Sequence, residues 1–184
     1  MSFEKRKYEL RKRADSMQET RERITEAAMD LHTSVGPART TISAVAERAG
    51  VQRHTVYRHF PTDADLFAAC AGHFYAAVPF PDPADGLDAL YAYYERTGDA
   101  WEAIMRDAHL VDAVAEGVRP FRAFLDDEAH ALAGDDGPVA LAAARHAVDF
   151  RTWRSLSGIA RADAVALMTA MLEAARAAQP RPAR

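Results

Sequence analysis

With a single cysteine, Cys70, among 184 residues, the chain cannot close a disulfide on itself, and a reducing compartment is the expected setting. No run approaches the roughly 20 consecutive apolar residues needed to cross a bilayer. The first residues are charged and form no apolar signal core, so a soluble, cytoplasmic chain without membrane contact is expected. Alternating apolar and polar stretches bounded by hairpin turns are also missing, which argues against a strand-built core. There is no Cys/His cluster, HExxH, Gly-rich phosphate loop or nucleophile elbow, so no metal, cofactor or enzymatic chemistry is expected. The pairs His109/Asp112 and His146/Asp149 would each share a helix face, but that spacing is common by chance.

What the chain does have is an uneven charge. The net of -4 hides 12 Lys+Arg against 8 Asp+Glu in residues 1–61 and 11 against 19 in residues 62–184. All three lysines, Lys5, Lys7 and Lys12, fall in the first twelve residues. A basic front and an acidic remainder suit a protein that presents one end to phosphates.

Helical spacing dominates the rest. Residues 1–19 read as a basic arm, either disordered or extending the first helix, with Ser16 and Thr20 as alternative helix starts. Ile24, Ala27, Ala28 and Leu31 form an apolar stripe that Gly36-Pro37 ends. Thr41 can cap a second helix with Ile42, Val45 and Ala46 inward, and Gly50 follows where a left-handed residue is expected. A third helix is predicted from Gln52 to His59. Thr62 to Asp65 form a capping signature for a fourth, carrying Leu66, Phe67, Cys70 and Phe74. Pro79, Pro81 and Pro83 make residues 78–86 a linker. Helices are then expected over 87–105, 110–132, 138–156 and 162–178, with a frayed tail from Pro180 and the many alanines read as composition bias.

Two short helices meeting steeply need a small residue in the first, a glycine at the bend and an apolar anchor in the second. Ala46, Gly50 and Val56 supply these. The outer face of the third helix then carries Gln52, Arg53, His54, Thr55 and Arg58, donors of the kind that base edges and phosphates accept. Spacing alone also allows an ordinary helical hairpin with a solvated face.

The run Thr40-Thr-Ile-Ser-Ala-Val-Ala-Glu-Arg-Ala-Gly-Val51, followed by Thr55-Val-Tyr-Arg-His-Phe60, resembles the TetR family of one-component bacterial regulators, over roughly residues 20–67. The resemblance implies an all-α chain. It divides into a basic arm (1–19), a three-helix helix-turn-helix domain (20–63) and a larger helical ligand-binding and dimerisation domain (64–184). It also implies that Thr41 and Ser43 contact phosphate or a groove edge. Arg53, His54 and Thr55 would open the recognition helix, Tyr57 would reach a phosphate, and Arg58 and His59 would lie at its far end. Three positions depart from the family: Gln52 replaces a serine cap, His54 a small residue, and Asp63 a phosphate-binding lysine. Asp63 cannot attract phosphate, which moves that contact to Arg58 or the basic arm. His32 stands where a large apolar residue is usual, and is expected to pack or to lie partly exposed.

By the same resemblance, the chain would be a homodimer binding a double-stranded, pseudo-palindromic operator, and an unknown small-molecule effector would release it as a repressor. Pocket candidates are Phe74, Tyr91, Tyr94, Trp101, Met105, Phe121, Phe124 and Leu125, with His109 and Arg122 as polar anchors. Dimer-face candidates are Val139, Ala142, His146, Phe150 and Trp153 on one helix and Leu167, Met168 and Met171 on the last, their alternative being intrachain core. Two other readings remain open: a ligand-independent DNA-binding and dimerising module, and a helical metal-binding protein or enzyme.

Overall fold

The computed structural model describes residues 3–178; the tail from Pro180 lies outside them. Among the described residues there are helices and turns but no strand. The helices are α1 (Phe3–Ser34), α2 (Ile42–Ala49), α3 (Arg53–His59), α4 (Asp63–Ala77), α5 (Gly86–Asp107), α6 (Asp112–Gly117), α7 (Arg119–Ala133), α8 (Gly137–Val148), α9 (Phe150–Leu156) and α10 (Arg161–Ala177). The all-α expectation holds.

Two compact units share the chain. One takes residues up to Val78 together with Asp99–Gly117; the other takes Pro79–Gly98 and everything from Val118. Contacts therefore group residues 64–78 and 99–117 with the N-terminal helices. The reason is packing: Leu66 and Cys70 fill the same core as Ile24, Ala28, Leu31, Val45, Ala46, Val56 and Phe60. Further along α4, Phe74 meets Trp101 edge-on at 5.4 Å, and the Tyr75 hydroxyl donates to the Gly117 carbonyl at 2.7 Å.

Local signals explain most boundaries. Thr62 and Asp65 form the predicted capping box on α4, each side chain bonded to the other's backbone N–H. Neither Ser16 nor Thr20 starts a helix. One continuous α1 runs through both, and the Thr20 hydroxyl donates to the Ser16 carbonyl at 2.8 Å.

Two predicted helices each prove to be two. The span 110–132 breaks between α6 and α7, where Pro120 lies in the first turn of α7: proline has no N–H to give and clashes with the preceding turn. The span 138–156 breaks at Asp149, which is extended. Its carboxylate caps α9 by accepting from the N–H groups of Arg151 at 2.8 Å and Thr152 at 3.2 Å.

In the second unit the alanines are structural. Ala140, Ala144 and Ala147 on α8 are fully buried, and α8 packs on α7 and α10. Small side chains at i, i+4 and i+7 let helix axes approach closely, so this composition bias is a packing surface.

Candidate nucleic-acid interface

The bend between α2 and α3 follows from backbone chemistry. Gly50 ends α2 at φ 65°, a left-handed conformation that costs glycine nothing. Its N–H and that of Val51 return to the carbonyls of Ala46 and Glu47, satisfying the helix end. The start of α2 is closed by Thr41, whose hydroxyl accepts from the Ala44 N–H at 3.2 Å. Gln52 occupies the cap of α3 without a side-chain capping bond, so its amide is available outward.

With Val56 wholly buried and Phe60 2% exposed, α3 is anchored on one side only. Gln52, Arg53, His54, Tyr57 and Arg58 are all exposed on the other side, together with Thr41 and Ser43 at the head of α2; Thr55 is half-buried. These side chains offer amide, guanidinium, imidazole and phenol donors on one continuous face. His59 differs. Its Nε2 is buried and has no hydrogen-bond partner, and burial, then the charges of Arg58 and Arg21, push its pKa down. Asp63 is exposed in the first turn of α4, where a carboxylate complements the helix N-terminus.

Three supporting residues were not legible as such in the sequence. Arg21 on α1 donates from Nη1 to the His59 carbonyl at 2.7 Å, and its guanidinium lies 4.1 Å over the Phe60 ring, tying α1 to the end of α3. Its only sequence signal is an arginine three residues before Ile24 on the apolar side. At the end of α5, Arg106 donates to the Val35 carbonyl at 3.0 Å, and the Asp107 carboxylate accepts from the Ala38 N–H at 3.1 Å. Together they hold the turn that leads into α2. The Arg106 guanidinium keeps the Asp107 carboxyl below its ordinary range, helped by that N–H.

His32 is buried and stacks on Phe67 at 4.5 Å, with its pKa pushed down to about 4 by burial. It is a core side chain at the back of the motif, beside a cleft of about 280 Å³ that Thr41 and Asp63 also line.

The remaining candidates divide between the units. Phe74 and Trp101 are buried in the first, with Met105 half-buried and His109 exposed. Tyr91, Tyr94, Phe121 and Phe124 are buried in the second, with Leu125 half-buried and Arg122 exposed. Of the dimer-face candidates, Val139, Ala142, His146 and Leu167 are exposed and Met171 is half-buried. Phe150, Trp153 and Met168 are buried within the chain, the first two against Tyr94 at 5.4 and 5.3 Å. No group of three or more His, Cys, Asp or Glu able to hold a metal occurs among the described residues, and no described helix is long and apolar enough to cross a membrane.

Comparison with known proteins gives the motif its kin. The family described as bacterial regulatory proteins, tetR family, matches residues 24–70, the stretch from the α1 stripe to the core of α4. The chain is 43% identical over 60 residues to the HTH-type transcriptional regulator TtgR of Pseudomonas putida, covering 33% of this chain and 29% of that one. It is 38% identical over 58 residues to the HTH-type transcriptional regulator AcrR of Shigella flexneri, covering 32% and 27%. These matches span less than a third of either relative. A solved structure of a proposed transcriptional regulator from Pseudomonas aeruginosa PAO1 shares the fold over 86% of this chain and 90% of that one, with a TM-score of 0.58 and 15% identity. In the sequence and geometry of its helix-turn-helix, the stretch 24–70 is similar to the tetR family of bacterial regulatory proteins.

Proposed function

We propose that the protein is a sequence-specific DNA-binding transcriptional regulator, reading an operator through the exposed face of α3. The observation that carries this is the one-sided anchoring of α3: Val56 and Phe60 are sealed in the core while Arg53, His54, Tyr57 and Arg58 all face out. In this reading Arg53 pairs with a guanine edge, and Tyr57, Arg58 and Thr41 bind phosphates.

The finer reading is a homodimer on a pseudo-palindromic operator, acting as a repressor that a small molecule releases. Exposed Val139, Ala142, His146 and Leu167, with half-buried Met171, would meet their counterparts across a two-fold axis, and the aromatic residues of the buried cores would supply an effector site. In this reading DNA binding falls to residues 20–63, and effector binding and dimerisation to residues 64–184.

The test is retardation of labelled DNA from the region upstream of the protein's own gene, with the duplex length and protein stoichiometry measured. Binding at two proteins per site, lost in Arg53→Ala, is the expected result. Failure to bind any upstream DNA better than random DNA would reject it. A flat operator affinity across a broad effector screen would reject release by a ligand and favour a ligand-independent regulator.

A further inference from the structure

Only the second half of α1 has a core to cover. Its buried residues, Ile24, Thr25, Ala27, Ala28, Leu31 and His32, fall on one side of the helix at about 100° per residue. The same side continued toward residue 3 carries Arg21, Met17, Arg13, Leu10 and Arg6, a stripe about 80° wide at i, i+4 and i+7 spacing. Leu10 is 59% and Met17 57% exposed, and Arg6 and Arg13 are exposed too. At Arg21 this side of α1 meets the end of α3 through His59 and Phe60. From there to Arg6 it continues for about 22 Å, at about 1.5 Å per residue.

We propose that this stripe is a second DNA-contacting element, in which Arg6 and Arg13 bind phosphates beyond the bases that α3 reads. The inference rests on the DNA-binding reading above. Two observations select the partner. Residues 3–13 hold six Lys+Arg against two Glu, which complements a polyanion. The stripe is also continuous with the end of the recognition helix, where Arg58 is exposed beside His59. Pairing with a second copy of the chain would set Arg6 and Arg13 where a helical seam needs apolar residues. Against DNA, each guanidinium can hold a phosphate with two hydrogen bonds, while the side-chain stems, Leu10 and Met17 cover the sugar edges.

The experiment is fluorescence anisotropy of the full chain with a 30-base-pair random-sequence duplex, across a KCl series. Each phosphate contact contributes about 0.9 to the slope of log affinity against log salt, so Arg6→Ala/Arg13→Ala should flatten the wild-type slope by about 2 for each protomer bound. Arg6→Lys/Arg13→Lys, which keeps the charges, should restore most of the slope. Arg11→Ala/Lys12→Ala removes the same charge from the other side of α1, and should cost less than half as much. An unchanged slope in Arg6→Ala/Arg13→Ala, or equal losses from both alanine pairs, overturns the stripe while leaving the α3 reading intact. A change in assembly by sedimentation with an unchanged slope assigns the stripe to a second copy and also overturns it. Absence of any DNA binding by the wild-type chain removes both readings together.

Discussion

The Tyr94 hydroxyl donates to the Val148 carbonyl at 2.7 Å, at the residue where α8 stops. One turn earlier on α5, the Tyr91 hydroxyl donates to the Ala147 carbonyl at 2.9 Å. The last carbonyls of a helix have no partner within it, and these two are buried. Two tyrosines three residues apart on α5 satisfy them, so the break between α8 and α9 is stabilised from a distant part of the chain. Burial raises both phenol pKa values, Tyr91 to about 12, which keeps both hydroxyls protonated as donors.

Replacing that donor should be costly. Tyr94→Phe keeps the ring among Phe121, Phe150 and Trp153 but leaves the Val148 carbonyl unsatisfied, a loss of about 1–3 kcal/mol. Urea unfolding of the variant measures it. A change below about 0.5 kcal/mol would show that Asp149 alone sets the break.

Glu128 predicts how stability varies with pH. It is 1% exposed, neither carboxylate oxygen has a hydrogen-bond partner, and burial, then Asp82 and Asp85, raise its pKa from 4.5 to about 7. Below about 4.5 the group is protonated folded and unfolded alike and contributes nothing. Between 4.5 and 7 the unfolded chain gives up the proton while the folded chain keeps it, so stability falls as pH rises, by up to about 3 kcal/mol. Glu128→Gln should abolish that decline. Melting curves from pH 4.5 to 8 that stay parallel for the two proteins would show the carboxyl to be solvated instead.

Gly98 lies inside α5 against an indole. A Cβ built there falls 2.7 Å from Trp153 Cη2 and 2.8 Å from Cζ3, and the indole is itself buried. Alanine ordinarily favours a helix over glycine by about 1 kcal/mol. Overpacking of about 1–3 kcal/mol opposes that gain, so Gly98→Ala should be neutral to destabilising. A Tm several degrees above wild type would show that the indole moves aside freely.

Under the proposed function, base reading and phosphate binding should separate by variant. Arg53→Ala should lose about 1–3 kcal/mol of discrimination at one operator position, whereas Tyr57→Phe should weaken all sequences alike. Anisotropy across single-base operator variants measures both. Equal loss on specific and random duplexes for Arg53→Ala would remove it from base reading.

Much of the exposed face of α3 was readable without coordinates, because its determinants are local. Thr41 and Thr62 cap within three residues, Gly50 turns where only φ matters, and the i, i+3, i+4 stripe containing Val56 fixes which side of α3 faces outward. Those choices are made by neighbours along the chain, so sequence order suffices. The supports of that face were invisible: His59 and Arg21 are 38 residues apart, and Ala38 and Asp107 are 69 apart.

The second unit shows the same divide more sharply. Helical periodicity marked Phe150 and Trp153 as one apolar stripe with Val139, Ala142 and His146, because periodicity carries on through a break that leaves no helix-breaking residue behind. Asp149 is a weak local signal, and the Tyr91 and Tyr94 hydroxyls that satisfy the interrupted carbonyls lie more than 50 residues earlier. By itself, the sequence determined that the chain is helical, where the helix-turn-helix bends and which side of α3 meets solvent. Only the tertiary structure decided that Phe150 and Trp153 turn into the core, that Glu128 is sealed without a partner and that α1 carries its inward face past the end of α3. Burial and carbonyl satisfaction are set by whatever packs opposite, and that is not written in nearest-neighbour order.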